Sequence, residues 1–159
     1  MNKREIVEQL KAALTREIDV LTRAANAARE AATHEENRPE NDKDTRAVEA
    51  AYLAGAQADR ARELERAVNA LEFLPLRAFR EQDPIAASAL VEVDIEGKRA
   101  LYFLAPQGGG LRAEIEGVVV QVITPPSPVG QALLGRLTGD VVEVRTEGRK
   151  REVEILSVR

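Results

Sequence analysis

Residues 123–144 read Ile-Thr-Pro-Pro-Ser-Pro-Val-Gly-Gln-Ala-Leu-Leu-Gly-Arg-Leu-Thr-Gly-Asp-Val-Val-Glu-Val. Pro125, Pro126 and Pro128 end the strand before them, because proline has no N–H to offer a β-ladder. Ser127 is placed as a helix N-cap, and proline suits the first helical position after it. The helix is about two turns long, with Ala132, Leu133 and Leu134 on its apolar side, and Gly135 stops it. Thr138-Gly139-Asp140 then turns the chain into a new β-branched strand.

Working outward, the apolar period is two on both sides of this unit. Ala89–Ile95 alternates and meets a hairpin turn at Glu96-Gly97-Lys98 before Arg99–Leu104. Gln107-Gly-Gly-Gly110 is a loop and lacks the Lys-Ser/Thr of a phosphate-binding loop. Val118–Thr124 is β-branched enough for a central strand. Gly139–Thr146 and Arg151–Val158 form a last hairpin around Glu147-Gly148. The pattern predicts five or six antiparallel strands with one short helix.

Upstream of Phe73-Leu-Pro-Leu the period is different. Leu14, Ile18, Leu21, Ala25, Ala28 and Ala32 are spaced 4, 3, 4, 3, 4, a coiled-coil seam that Ile6 and Leu10 extend. Ala47, Ala51, Ala54, Ala58, Ala61, Leu64, Val68 and Leu71 repeat it. The spacing predicts helices over 3–33 and 45–72, the first about 46 Å long. The polar stretch 33–44, broken at Pro39, is long enough to reverse the chain, so the helices form an antiparallel hairpin. Periodicity alone is equally consistent with a coiled-coil dimer. The expected fold class is α+β: a helical hairpin over 1–74, a linker near 74–84, and a β domain over 85–159.

Composition narrows the function. The chain has 159 residues, no Cys, one His and a net charge of −4. Disulfides and cysteine metal sites are excluded, and a reducing cytoplasm fits. No apolar run approaches a membrane span and no secretory signal opens the chain. The acidic balance gives general nucleic-acid binding no electrostatic support, so a protein partner is expected.

In order and spacing, Ser127-Pro128, Ala132-Leu133-Leu134-Gly135, Gly139-Asp140 and the ending Arg151–Val158 resemble the C-terminal domain of the Gre family of bacterial transcript-cleavage factors. The resemblance extends to the preceding hairpin. It implies an FKBP-like β domain and a monomer that binds RNA polymerase and reaches into its secondary channel. It implies that Pro126, Ser127 and Pro128 belong to the loop docking on polymerase, although Pro126 stands where some relatives carry an acid. At the hairpin tip, Pro39-Glu40-Asn41 aligns with the family's Ser-Glu-Asn. Glu40 then takes the family's Glu position, and Asn37 stands where an Asp is expected. Glu36, Asp42 and Asp44 are nearby acids, and another register would use Asp42 or Asp44.

Such acids would complete the ligand sphere of polymerase's second Mg²⁺, which takes oxygen donors and activates water. The chain would then have no cofactor or metal of its own and would not be an enzyme alone. Residues 35–44 hold five acids and two bases, so the tip is acidic whatever the register. A solvated turn capped by Asp44 or Thr45 explains any single acid as well. Arg16 and Arg23, with Lys11 and Arg29, are candidates to touch the nascent RNA 3′ end, although pairing with neighbouring acids accounts for them equally. Two other readings stand beside cleavage stimulation. Asn37 favours a non-cleaving regulator of initiation or pausing. A prolyl isomerase or chaperone would need an aromatic pocket built from Tyr102, Phe103 and Phe79.

Overall fold

The structure, a computed structural model, describes residues 1–36 and 44–159. Two helices, α1 (Lys3–Glu36) and α2 (Asp44–Glu72), precede six strands and a third helix. Both long helices arise where the sequence has no proline and heptad-spaced apolar residues. Against the predicted ends at 33 and 45, α1 runs three residues further and α2 starts one residue earlier. Asn2 caps α1, its Oδ1 accepting from the Arg4 N–H at 3.0 Å.

The chain divides into two compact units, residues 12–68 and residues 1–11 with 69–159. In the helical unit Leu14 and Ala25 are buried, and Ile18, Leu21 and Ala28 are half-buried, as the 4-3-4-3 spacing predicts. On α2 the buried line runs through Ala54, Ala61, Leu64 and Ala67, with Ala58 and Val68 half-buried beside it. Ala51 is exposed and Ala50 is half-buried instead. An unsupercoiled helix drifts against a strict seven-residue repeat, which accounts for this slip of one position. Lys11, early in α1, forms an ion pair with Glu72 at the end of α2, so the helices run antiparallel within one chain.

In the other unit the strands are β1 (Leu90–Ile95), β2 (Lys98–Leu104), β3 (Arg112–Ile115), β4 (Val118–Ile123), β5 (Val141–Thr146) and β6 (Arg149–Val158). They form one sheet in the order β3-β4-β2-β1-β6-β5. All pairings are antiparallel except β2 with β4, which is parallel with Leu101 opposite Val120. That pairing corrects the all-antiparallel expectation. Leu101–Leu104 of β2 is buried at every position because both sheet faces are covered there. Val91, Val93, Tyr102, Leu104, Ile123, Val142, Val144, Val153, Ile155 and Val158 build the core on one face, together with Ile85 and Leu133. The β1–β6 register skips Leu156, since Val93 faces Ile155 and Glu92 faces Ser157. This bulge shifts burial from Ile155 to Val158 and breaks the period of two.

Ser88 ties the segment before β1 to the sheet. It is fully buried, its N–H donates to Leu104 O at 2.8 Å, and its Oγ accepts from Arg77 N at 3.0 Å.

Three hairpins share one turn chemistry: Glu96-Gly97, Glu116-Gly117 and Glu147-Gly148 all have positive φ at both residues, as in a type I′ turn. The strand directions put all three turns at the same end of the sheet, at the starts of β2, β4 and β6. Glutamate is strained in the left-handed region, where Asn is tolerated. Replacing Glu96 by Asn is expected to stabilise the protein by about 0.5–1 kcal/mol and to raise Tm by about 1–4 °C. A differential scanning calorimetry trace with unchanged Tm would contradict this account of the turn.

Candidate functional site

The quoted stretch folds into the end of β4, a tight turn, and α3 (Pro128–Leu133). Ser127 is extended at φ −69°, ψ 153° and works in both directions. Its Oγ donates to Thr124 O at 2.7 Å and accepts from the Gly130 N–H at 3.0 Å. Its own N–H also donates to Thr124 O, at 3.0 Å. Pro128 sits at the start of the helix, where its missing N–H costs nothing.

Gly130 decides how closely α3 approaches the sheet. A Cβ built on it would lie 1.9 Å from Thr124 O and 2.8 Å from Thr124 C, both backbone atoms. No side chain fits there, so the helix rests directly on the strand end. Leu133 is fully buried in the core, Ala132 is half-buried, and Leu134 is exposed and serves as the C-cap. The apolar side is therefore narrower than Ala132-Leu133-Leu134. Gly135 has φ 77°, and its N–H donates to Ile85 O at 2.8 Å. Ile85 N–H in turn donates to Arg136 O at 2.9 Å, which holds the far end of the helix. The Gly139-Asp140 turn is closed by Asp140 Oδ2, which accepts from Leu137 N–H at 3.0 Å.

The result is a short rigid ledge. Pro126 and Pro128 are exposed on it, while Ser127 is half-buried and bound to backbone. Of the three partner-binding candidates, the two prolines present surface and Ser127 holds the shape.

The tip candidates fall elsewhere. Asn37, Glu40 and Asp42 lie outside the described residues, as do the side chains of Glu36 and Asp44, which end α1 and begin α2. Among the described residues no three His, Asp or Glu side chains converge as a metal site. Among the described residues no helix is long and apolar enough to cross a membrane.

On α1, Arg16, Arg23 and Arg29 are exposed, and none has a carboxylate within ion-pair distance among the described residues. Neutralisation by a neighbouring acid is seen for other cations: on α2, Arg60 pairs with Glu63 and Arg62 with Asp59. On α1, Lys11 is held by Glu72 and by its neighbour Glu8, whose hydrogen bonds raise its pKa. Tyr52 is 81% exposed, beside exposed Val48 and Leu53.

Tyr102 and Phe103 do not line an open pocket. Phe103 is fully buried and Tyr102 nearly so, its pKa raised by burial. Phe79 is covered by Lys3 and Arg77. Among the described residues Tyr102, Phe103 and Phe79 do not come together as the aromatic walls of a prolyl isomerase pocket.

Residues 113–159 match the family model of the transcription elongation factor GreA/GreB C-terminal domain. The last strands, the Ser127 cap and α3 are thus similar to the GreA/GreB C-terminal domain over the matched residues, where the sequence resemblance was read. Among solved structures, GreA factor homolog 1 of Thermus thermophilus is 20% identical, with 96% of this chain and 94% of that one covered and a TM-score of 0.39. The Thermus aquaticus homolog is also 20% identical, with 98% and 95% covered and a TM-score of 0.39. A GreA/GreB factor from Nitrosomonas europaea is 24% identical over 65% of this chain and 78% of that one, with a TM-score of 0.37. No curated protein sequence matches the chain.

The ledge can be tested by its own chemistry. Ser127→Ala is expected to cost about 1–2 kcal/mol, since it removes a cap and a second hydrogen bond. Gly130→Ala is expected to cost about 3 kcal/mol or more, because the methyl meets backbone rather than a movable side chain. Urea unfolding measures both, and equal midpoints for wild type and Gly130→Ala would refute the close approach.

Proposed function

We propose that this protein binds bacterial RNA polymerase as a Gre-like elongation factor, docks through the Pro126-Ser127-Pro128 ledge, and places its helical pair in the secondary channel. The observation that carries this reading is the match of residues 113–159 to the GreA/GreB C-terminal domain, with Ser127 and Gly130 built into its backbone. The antiparallel helices with a small-residue seam suit a narrow channel, because alanines let helix axes approach closely. The chain acts on polymerase's own chemistry and supplies no catalytic metal. Mg²⁺ held by polymerase would activate the water that attacks the RNA phosphodiester. Glu40, and in another register Asp42, Asp44 or Glu36, would add oxygen ligands or orient that water. The unpaired Arg16 and Arg23 would face the phosphates of the transcript's 3′ end.

A second reading follows from one residue. Asn37 is a neutral, weaker ligand than the aspartate expected at its position, which favours a regulator that occupies the channel without stimulating cleavage.

The test is release of short 3′ fragments from backtracked elongation complexes. Stimulation is expected to accelerate release by about tenfold or more, a change of at least about 1.4 kcal/mol in the barrier. Glu40→Gln should remove most of that gain, and Asn37→Asp should increase it. A wild-type protein that binds the complex without changing release assigns the regulator role instead. Failure to bind polymerase removes both.

A further inference from the structure

Lys3 and Arg4 open α1, Arg77 and Phe79 lie in the segment before the sheet, and Arg159 ends the chain. Together they border a shallow depression of about 400 Å³ that is wide open to solvent. Every one of these residues belongs to the same compact unit. The depression gathers four side-chain cations in a protein whose net charge is −4, so its charge runs against that of the molecule.

The cations are held in place. Lys3 Nζ stands 4.6 Å from the centre of the Phe79 ring, and the Arg77 guanidinium carbon stands 5.2 Å from it. Both therefore use the negative ring face in place of a carboxylate. Lys3 Nζ also donates to Arg77 O at 2.5 Å. Among the described residues, Lys3, Arg4 and Arg77 have no carboxylate within ion-pair distance, while Arg159 shares Glu92 with Arg99. The pKa of Lys3 is lowered to about 8 by burial and by the Arg77 charge, as expected for a crowded cation with no counter-ion. Like charges packed around one ring cost stability unless an anion joins them.

We propose that this pocket binds a small phosphorylated molecule through its diphosphate group, with Lys3, Arg4 and Arg77 as the cationic clamp and Arg159 at its rim. Arginine forks hold phosphate oxygens in pairs, and the lysine supplies a point charge between them. Three uncompensated cations exceed what one phosphate near charge −2 neutralises, which favours a diphosphate over inorganic phosphate. The depression is within the size range of small-molecule sites. Phe79, occupied by the two cations, holds them in position rather than stacking on a ligand.

The probe is inorganic pyrophosphate, titrated into the full-length protein by isothermal calorimetry at constant ionic strength and without polymerase. The outcome is therefore separate from that of the transcription assay. Saturable binding is expected, at least about tenfold tighter than for inorganic phosphate. Arg77→Gln should weaken it by about tenfold or more, and Arg145→Gln, the same charge change at a distant strand, by less than about twofold. In case Arg77→Gln unfolds, amide shifts of the wild type should concentrate at residues 2–5, 76–80 and 159. No binding up to millimolar pyrophosphate, equal weakening by Arg145→Gln, or shifts spread over all basic surfaces would overturn the proposal. So would tighter binding of a short RNA without terminal phosphates, which would assign the pocket to nucleic-acid backbone.

Discussion

The structure of the C-terminal unit depends on one steric fact: the backbone of Gly130 lies against the carbonyl of Thr124, where any side chain would collide. From this contact follows the placement of Ser127, which bonds to the strand end and to the helix start at once. It also places Leu133 in the core and Gly135 where it can reach Ile85. The exposed prolines are carried on this scaffold with little freedom, since each fixes its own φ. A surface of this kind loses little conformational entropy when a partner covers it.

Much of this was legible because it is local. Caps, proline stops and glycine turns act within four residues, so Ser127, Gly135 and the hairpins at Glu96-Gly97 and Glu147-Gly148 could be read directly. The heptad seam from Leu14 to Ala28 was equally plain, because burial in paired helices follows a strict spacing. Near Ala50 and Ala51 the reading slipped. Alanines occupy both positions there, so hydrophobicity alone does not say which one faces the partner helix.

What escaped was non-local. β3 is four residues long with only Ala113 and Ile115 buried, too short for an alternating pattern to stand out. Nothing in β2 or β4 announces that they run parallel, since that depends on where the intervening chain crosses. The bulge at Leu156 was hidden because Val153, Ile155, Leu156 and Val158 are all apolar. The cationic pocket unites residues 3, 77 and 159, which no window along the chain would join. The tip acids remain a matter of alignment with the Gre pattern, and Asn37 is the position on which the two functional readings diverge.

The most direct measurement is the affinity of the full-length protein for RNA polymerase core enzyme, compared between wild type and Gly130→Ala at a temperature where both are folded. The account predicts saturable binding by the wild type and a loss of about tenfold or more in the variant, since the ledge can no longer seat on Thr124. A wild type that does not bind, or a variant that binds equally well, would contradict it.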